Sequence, residues 1–174
     1  MSKRDLKKYL NGLEKDQLEE QLLELYDKFT EVKTYYDFVF NPKEDKLVQE
    51  AKMKIANEYF PIKTKRAKLR RSVAQKYIKH FLTLGVDPFA VADVMLYTME
   101  TAQKYSAKRE MSYASFYKSI QNSFEQAVNY VIANGIVADY RNRLNDIHKE
   151  AMRQKWENRY EFERAAEQLN PDSE

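Results

Sequence analysis

The residues with the clearest capacity for binding chemistry are cations clustered in the middle of the chain. Residues 61–80, here called the basic segment, carry eight basic residues and no acidic residue. Flexible cations presented on one surface can bind the phosphates of a nucleic acid or the carboxylates of an acidic protein. The candidate binding residues are Lys63, Lys65, Arg66, Lys68, Arg70, Arg71, Lys76 and Lys79.

The basic segment coincides with the start of a predicted helix over about 64–84. Cations at a helix N-terminus oppose the helix dipole by about 0.3–1 kcal/mol each. Two interpretations follow: acidic residues elsewhere neutralise the cluster, with Glu19, Glu20, Glu24 and Asp27 as candidates, or an anionic partner does. On this helix two rows of cations are expected, with Lys65, Lys68, Lys76 and Lys79 on one face and Arg66 and Arg70 on the next.

Other residue types that could support catalysis or metal binding do not form recognisable motifs. The two histidines, His80 and His148, lie outside the zinc-protease, di-iron and zinc-deaminase patterns. The chain has no cysteine, and three isolated glycines cannot build a phosphate-binding loop. A Ser-x-x-Lys match at Ser115 and Lys118 lacks its companion motifs. We therefore expect no enzymatic activity, no cofactor and no metal site.

The sequence also lacks targeting and membrane signals. Its first residues are basic and contain no apolar core of a signal peptide. No stretch approaches the 18 apolar residues that a membrane-spanning helix needs. We expect a cytoplasmic protein with no membrane partner.

The elements that must position the basic segment are predicted to be amphipathic helices. Apolar residues recur at spacings of three and four, whereas glycine and proline are scarce, so we predict an all-α fold. Asn41-Pro42 and Asp87-Pro88 are helix starts, and Gly85 and Gly135 are helix stops. The pattern leaves open whether the second and third helices are one kinked helix. Eight helices are predicted. The first, fourth, fifth and sixth cover about 3–11, 42–59, 64–84 and 88–105; the second, third and seventh are capped by Asp16, Thr30 and Ser112, and the last lies within 136–169.

The predicted helices suggest an irregular antiparallel array, either a bundle or a HEAT-like arrangement. The sixth helix is apolar on much of its circumference and should be central. We predict a single all-α domain over residues 1–150. Beyond it, residues 151–174 should form a charged, partly solvated helical extension whose last five residues fray.

The order and spacing of several short stretches resemble an uncharacterised bacterial family known only as a domain of unknown function. The likeness runs from about residue 2 to residue 147 and implies an all-helical cytoplasmic protein, without an activity, ligand or partner. The stretches are Leu25-Tyr26, Glu31-Val32-Lys33, Tyr35-Tyr36-Asp37, Asn41-Pro42, Phe60-Pro61, Ser72-Val73-Ala74, Asp93-Val94-Met95-Leu96-Tyr97 and Phe116-Tyr117.

Three functions are consistent with these observations. The first is a non-catalytic helical module that binds a protein partner. The alternative is nonspecific nucleic-acid binding through the basic segment, with steep salt dependence. The third is an enzyme whose site is assembled from scattered tyrosine, aspartate and lysine residues. The oligomeric state is left open.

Overall fold

The computed structural model describes residues 1–63, 66–109 and 111–169. Within this part of the chain there are nine α-helices and no β-strand, which confirms the all-α prediction. The chain divides into two compact units, residues 1–43 and 44–174. The helices are α1 (Lys3–Leu10), α2 (Lys15–Lys28), α3 (Thr30–Phe40), α4 (Glu44–Tyr59), α5 (Arg71–Leu84), α6 (Pro88–Ser106), α7 (Ala114–Ala133), α8 (Val137–Arg153) and α9 (Arg159–Glu167).

The N-terminal unit contains α1, α2 and α3. Phe29 has an extended backbone (φ −119°, ψ 113°) and separates α2 from α3, so these are two helices and not one kinked helix. The Tyr26 hydroxyl of α2 donates a 2.8 Å hydrogen bond to Asp37 of α3. None of residues 1–43, all of which the structure describes, is buried. This unit therefore has no core of its own.

The C-terminal unit is built around α6, as the sequence predicts. The helix begins at Asp87-Pro88, where the Asp87 carboxylate accepts a 2.7 Å hydrogen bond from the Phe89 amide. It packs against α4, α5, α7 and α8, and it buries residues on most of its circumference, including Val91, Leu96 and Met99. A helix that is apolar on most of its circumference is stable only when several neighbours pack against it.

The two acidic residues of α6, Asp93 and Glu100, are paired with cations from two neighbouring helices. Arg143 of α8 donates to Asp93 at 2.8 Å and to Glu100 at 2.8 and 3.1 Å, and Lys52 of α4 binds the other oxygen of Asp93. Desolvation acts to raise the pKa of Asp93, but hydrogen bonds from Lys52 and Arg143 lower it overall. The network thus fixes α4 and α8 against the same side of α6.

Three helices of this unit end with the same hydrogen-bonding pattern, the Schellman motif. A residue with positive φ closes each helix: Gly85 (73°), Gly135 (69°) and Lys155 (55°). The next residue is apolar and buried in every case. Its amide donates to the carbonyl five residues earlier: Val86 to Phe81 (3.1 Å), Ile136 to Val131 (3.0 Å) and Trp156 to Ala151 (3.1 Å).

The third of these ends corrects the expectation for residues 151–174. We expected a partly solvated extension of the eighth helix, but α8 ends at Arg153 and a separate helix, α9, packs against α7 and α8. Trp156, Phe162 and Leu169 are all buried, because the turn at Lys155 directs the chain back onto the core. The predicted frayed end, residues 170–174, lies outside the described residues.

The start of α5 also differs from the prediction. The helix begins at Arg71 rather than near residue 64, and the described residues between Tyr59 and Arg71 form a connection without helical structure. Two effects account for this. The cluster of cations disfavours a helix N-terminus, and Glu58 at the end of α4 binds the connection. The Glu58 carbonyl accepts from the amides of Lys68 (3.0 Å) and Leu69 (3.1 Å).

The Arg143 network should contribute more to stability than a surface ion pair. We expect Arg143→Ala to lower the free energy of unfolding by about 1–3 kcal/mol, since it leaves two partly buried carboxylates with fewer donors. The matched control is Arg153→Ala on the same helix. Arg153 pairs with Glu150 but is 67% exposed, so its loss should cost under about 0.5 kcal/mol. Equal losses in urea denaturation would contradict a structural role for the network.

The Glu58 side chain should make stability depend on pH. Its pKa is lowered chiefly by hydrogen bonds from Arg70, so its stabilising effect is present above the unfolded pKa of about 4.3 and is lost as the pH falls through the lower folded pKa. At neutral pH we expect Glu58→Ala to cost about 1–3 kcal/mol in urea denaturation. The gap from wild type should narrow below about pH 4. Glu50→Gln, at an exposed position on the same helix, keeps the oxygen that accepts a hydrogen bond from Tyr77 and should show neither effect.

Lys155 should be a suboptimal residue at the end of α8. A side chain in the left-handed region costs about 1–2 kcal/mol, which exceeds the extra unfolded-state entropy of glycine. Lys155→Gly should therefore raise the free energy of unfolding by about 0.5–1 kcal/mol. Lys149→Gly, in the interior of the same helix, should lower it by about 1 kcal/mol. Thermal unfolding of both variants tests this, and a loss of stability in Lys155→Gly would contradict it.

Candidate interaction face on α4 and α5

The structure separates the predicted binding residues into three groups. Lys63, Arg66 and Lys68 are exposed in the connection before α5, and Lys76 and Lys79 are exposed on α5 itself. Arg70 and Arg71 make contacts within the protein. Lys65 lies outside the described residues.

The expected rows of cations on one helix are wrong, because α5 begins only at Arg71. The described members Arg66, Lys68 and Arg70 precede the helix, so they cannot share its faces with Lys76 and Lys79. The helical spacing from which the two rows were derived does not apply before residue 71.

Arg70 is neutralised by Glu58. Its Nε and Nη2 atoms donate to the two carboxylate oxygens of Glu58 at 2.9 and 2.8 Å, and its backbone amide donates to the same carboxylate at 3.3 Å. Glu58 is the only charged side chain that is buried among the described residues. A buried carboxylate needs such charge-assisted hydrogen bonds. Arg70 therefore serves mainly to anchor the basic segment to α4.

Arg71 has a similar internal role. Its Nε atom donates a 3.0 Å hydrogen bond to the hydroxyl of Ser123 on α7. This contact holds the first turn of α5 against α7. Of the eight predicted residues, Arg70 and Arg71 thus make hydrogen bonds within the protein that help to stabilise the fold.

The first part of the candidate face is a cleft between α4 and α5. It has a volume of about 550 Å³ and is open to solvent. Lys54 from α4 and Lys76 and His80 from α5 are exposed on its walls. Tyr77, also on its wall, donates a 3.1 Å hydrogen bond to Glu50. The cleft thus combines two lysines with hydrogen-bonding groups.

A second cleft of about 530 Å³ continues around the end of α4 and shares Lys54 and Asn57 with the first. It is largely apolar. Met53, Phe60 and Ile62 line it with 59%, 43% and 89% of their surfaces exposed. Exposed large apolar side chains that lie next to one another mark an interaction surface, whereas scattered ones do not.

A third cleft, of about 520 Å³, adjoins the second at Phe60 and Pro61. The ring of Tyr105 packs edge-on against Phe60, with ring centroids 5.8 Å apart. The guanidinium of Arg109 lies 5.4 Å from the centre of the Tyr105 ring. Lys108 and Arg109 therefore extend the cationic surface beyond α6.

We call the lining of these three contiguous clefts the α4–α5 face. Among the described residues that line it, Glu58 is the only acid, and it is paired with Arg70. An apolar strip thus lies between groups of cations with little acidic competition. The lining cations are Lys54, Lys63, Arg70, Lys76, Lys108 and Arg109.

Half of these cations were missed by the sequence analysis. Lys54 lies on α4, and Lys108 and Arg109 follow α6, so they are distant in sequence from the basic segment. The apolar residues of the face were missed too, although Met53 falls outside the apolar stripe of its helix, which a helical projection of α4 could have shown.

Two further features are absent from the described residues, a membrane-spanning helix and a metal-binding cluster. In that part of the chain no helix is long and apolar enough to cross a membrane. Nor does it contain a group of three histidine, aspartate or glutamate residues placed to hold a metal ion. The expected cytoplasmic location stays a prediction.

Comparison with known proteins gives the family without a function. No curated protein matches the chain, and no solved structure matches it either. A family model described as "Family of unknown function (DUF6155)" matches residues 1–170. The match covers nearly the whole chain, and it confirms the resemblance to an uncharacterised family. The chain therefore belongs to the DUF6155 family.

Proposed function

We propose that this protein is a non-catalytic helical interaction module that binds an acidic, amphipathic segment of a partner protein on the α4–α5 face. One observation carries the proposal: the exposed side chains of Met53, Phe60 and Ile62 lie among lining cations. A partner segment with apolar residues on one side and carboxylates beside them would match both properties.

The apolar strip would supply most of the affinity. Burying one large aliphatic side chain contributes about 1.5–3 kcal/mol. Methionine adapts its shape to a partner, and Met53 lies next to the more rigid ring of Phe60. Ile62 has the most to gain from a partner, because 89% of its surface is exposed.

The cations would favour a partner segment that carries negative charge. Lysines at the rim of an interface speed association with an acidic partner and disfavour basic ones. Lys54 and Lys63 line the same cleft as the apolar strip, so carboxylates beside the partner's apolar residues would reach them.

Nucleic-acid binding is the second candidate, and the cations of the face favour it. Single strands, however, bind through aromatic side chains that stack on bases, together with cations. Met53 and Ile62 are aliphatic, which suits a protein segment better than a base. The two candidates therefore differ in whether binding depends on these two residues.

The open form of the clefts supports a non-catalytic role. Catalytic sites usually exclude water so that charges act strongly on the substrate. The histidine in the first cleft, His80, is exposed. A cleft of this size accommodates a peptide side chain as readily as a small molecule.

The proposal can be tested with two fluorescent probes: a synthetic acidic amphipathic helix, with leucine on one face and glutamate beside it, and a single-stranded oligonucleotide. We expect Met53→Ser with Ile62→Ser to weaken peptide binding at least about 10-fold, because apolar burial is lost. Lys54→Ala with Lys76→Ala should weaken it less and reduce its salt dependence. Fluorescence anisotropy measures both effects.

Matched controls lie elsewhere on the same unit. Ile132→Ser on α7 removes an apolar side chain that is 41% exposed, and Lys149→Ala removes an exposed lysine of α8. Neither should change binding. Tighter binding of the oligonucleotide, lost with the lysine variant but retained in Met53→Ser with Ile62→Ser, would favour nucleic acid. Absence of binding to both probes would refute the α4–α5 face as a binding site for either class.

A further inference from the structure

The second helix of the N-terminal unit carries a regular apolar stripe that nothing in its own unit buries. The stripe consists of Leu18, Leu22 and Leu25 on the helix and of Phe29, the residue that directly follows it, and the surfaces of these side chains are 37–44% exposed. The spacings of four, three and four residues are those of the a and d positions of a coiled coil. Such a stripe is stable when a second helix packs along it.

We propose that α2 pairs with α2 of a second copy of this chain in an antiparallel, two-fold symmetric helix pair. In this arrangement Leu22 of one copy lies opposite Leu25 of the other, and Leu18 lies opposite Phe29. A two-fold interface uses the same surface on both copies, so that surface must be complementary to itself.

The charges beside the stripe satisfy this requirement. With the stripe at positions a and d, the flanking e positions are Glu19 and Tyr26, and the g positions are Gln21 and Lys28. An antiparallel pair places e opposite e and g opposite g. Glu19 then meets Tyr26 of the other copy, and Gln21 meets Lys28, so no like charges are opposed.

The acidic residues of α2 do not interfere with this pairing. The helix has two lysines against five acidic residues, and a net charge of this sign would oppose self-association if it lay in the interface. The four acidic residues other than Glu19 fall at outer positions of the heptad, where they point away from the partner helix. They are Asp16, Glu20, Glu24 and Asp27.

The third helix leaves the stripe accessible. It is held to α2 through Tyr26, whose hydroxyl binds Asp37 at 2.8 Å and whose ring lies 5.7 Å from the ammonium of Lys33. Tyr26 is next to the stripe and not part of it. Leu22 and Leu25 accordingly stay 42% and 43% exposed with α3 in place.

The stripe offers a small apolar core for the helix pair. Its four large side chains are each 37–44% exposed, and by themselves they cannot supply the roughly 800 Å² that a standard interface buries on each partner. The dimer should therefore be weak and depend on protein concentration. The four side chains are Leu18, Leu22, Leu25 and Phe29.

The composition of the unit favours a second copy over an anionic partner. Residues 1–43 hold eight basic and nine acidic residues, so they present no cationic excess to a nucleic acid or an anionic surface. This distinguishes the unit from the α4–α5 face, and the inference does not depend on the function proposed for that face.

The test is the oligomeric state of the full chain, measured by sedimentation velocity across a range of concentrations. We expect wild type to form a concentration-dependent dimer, and Leu22→Glu or Leu25→Glu to shift it to monomer, because a carboxylate would be buried at the centre of the pair. Leu23→Glu is the matched control: it places the same charge on the same helix, one residue outside the stripe, and should leave the dimer intact. Wild type that is monomeric at every concentration would overturn the proposal, and so would a dimer that survives Leu22→Glu.

Cysteine cross-linking gives an independent test that does not depend on the glutamate variants folding. The natural chain contains no cysteine, so introduced thiols are the only ones present. After mixing and oxidation, chains with Leu22→Cys should cross-link to chains with Leu25→Cys in preference to themselves. Chains with Leu23→Cys should cross-link to neither. Cross-linking of Leu22→Cys chains chiefly to one another would indicate parallel helices and overturn the antiparallel pair.

Discussion

The C-terminal unit depends on one constraint, which is that α6 can be stable only when helices surround it. Its apolar residues extend around most of the circumference, so α4, α5, α7 and α8 all pack against it. The same packing partly removes Asp93 and Glu100 from water, which costs free energy unless cations pair with them. Asp93 and Glu100 are stabilised because Lys52 and Arg143 reach them from α4 and α8. Burial thus determines the packing, and the ion network joins α4 and α8 to the polar side of α6.

The α4–α5 face follows from how the chain crosses between two of these helices. The carbonyl of Glu58 accepts hydrogen bonds from Lys68 and Leu69, and its carboxylate accepts hydrogen bonds from Arg70. These contacts hold the residues before Arg71 in a non-helical conformation, so α5 begins only at Arg71. The Glu58 carboxylate accepts its hydrogen bonds from Arg70, whereas Lys63, Lys68, Lys76 and Lys79 are exposed on the surface. The connection also keeps Ile62 beside the exposed side chains at the end of α4. The contacts of Glu58 therefore stabilise the connection and also position the residues of the candidate binding surface.

The two units differ in how their apolar residues are covered. In residues 44–169 the helices bury their stripes against one another, and even the short α9 contributes Phe162 to the core. In residues 1–43 helices of comparable amphipathicity leave their stripes exposed. Three short helices enclose too little volume to bury large side chains, so such a unit requires a further surface. This is why the two binding proposals concern different chemistry: an acidic segment for one unit and a second copy for the other.

The sequence alone determined the features that depend on neighbouring residues. The all-α class, the start of α6 at Asp87-Pro88, the stops at Gly85 and Gly135 and the central place of α6 could all be predicted, because caps and helical periodicity act over one or two turns. Tertiary structure decided the rest. Lys155 adopts the conformation of those two glycines because the burial of Trp156 compensates for its strain, and no local signal marks it. The start of α5 was mispredicted because its determinant, Glu58, belongs to the preceding helix. The candidate face likewise combines Lys54, the basic segment and Arg109, which only the packing of α4, α5 and α6 brings onto one surface.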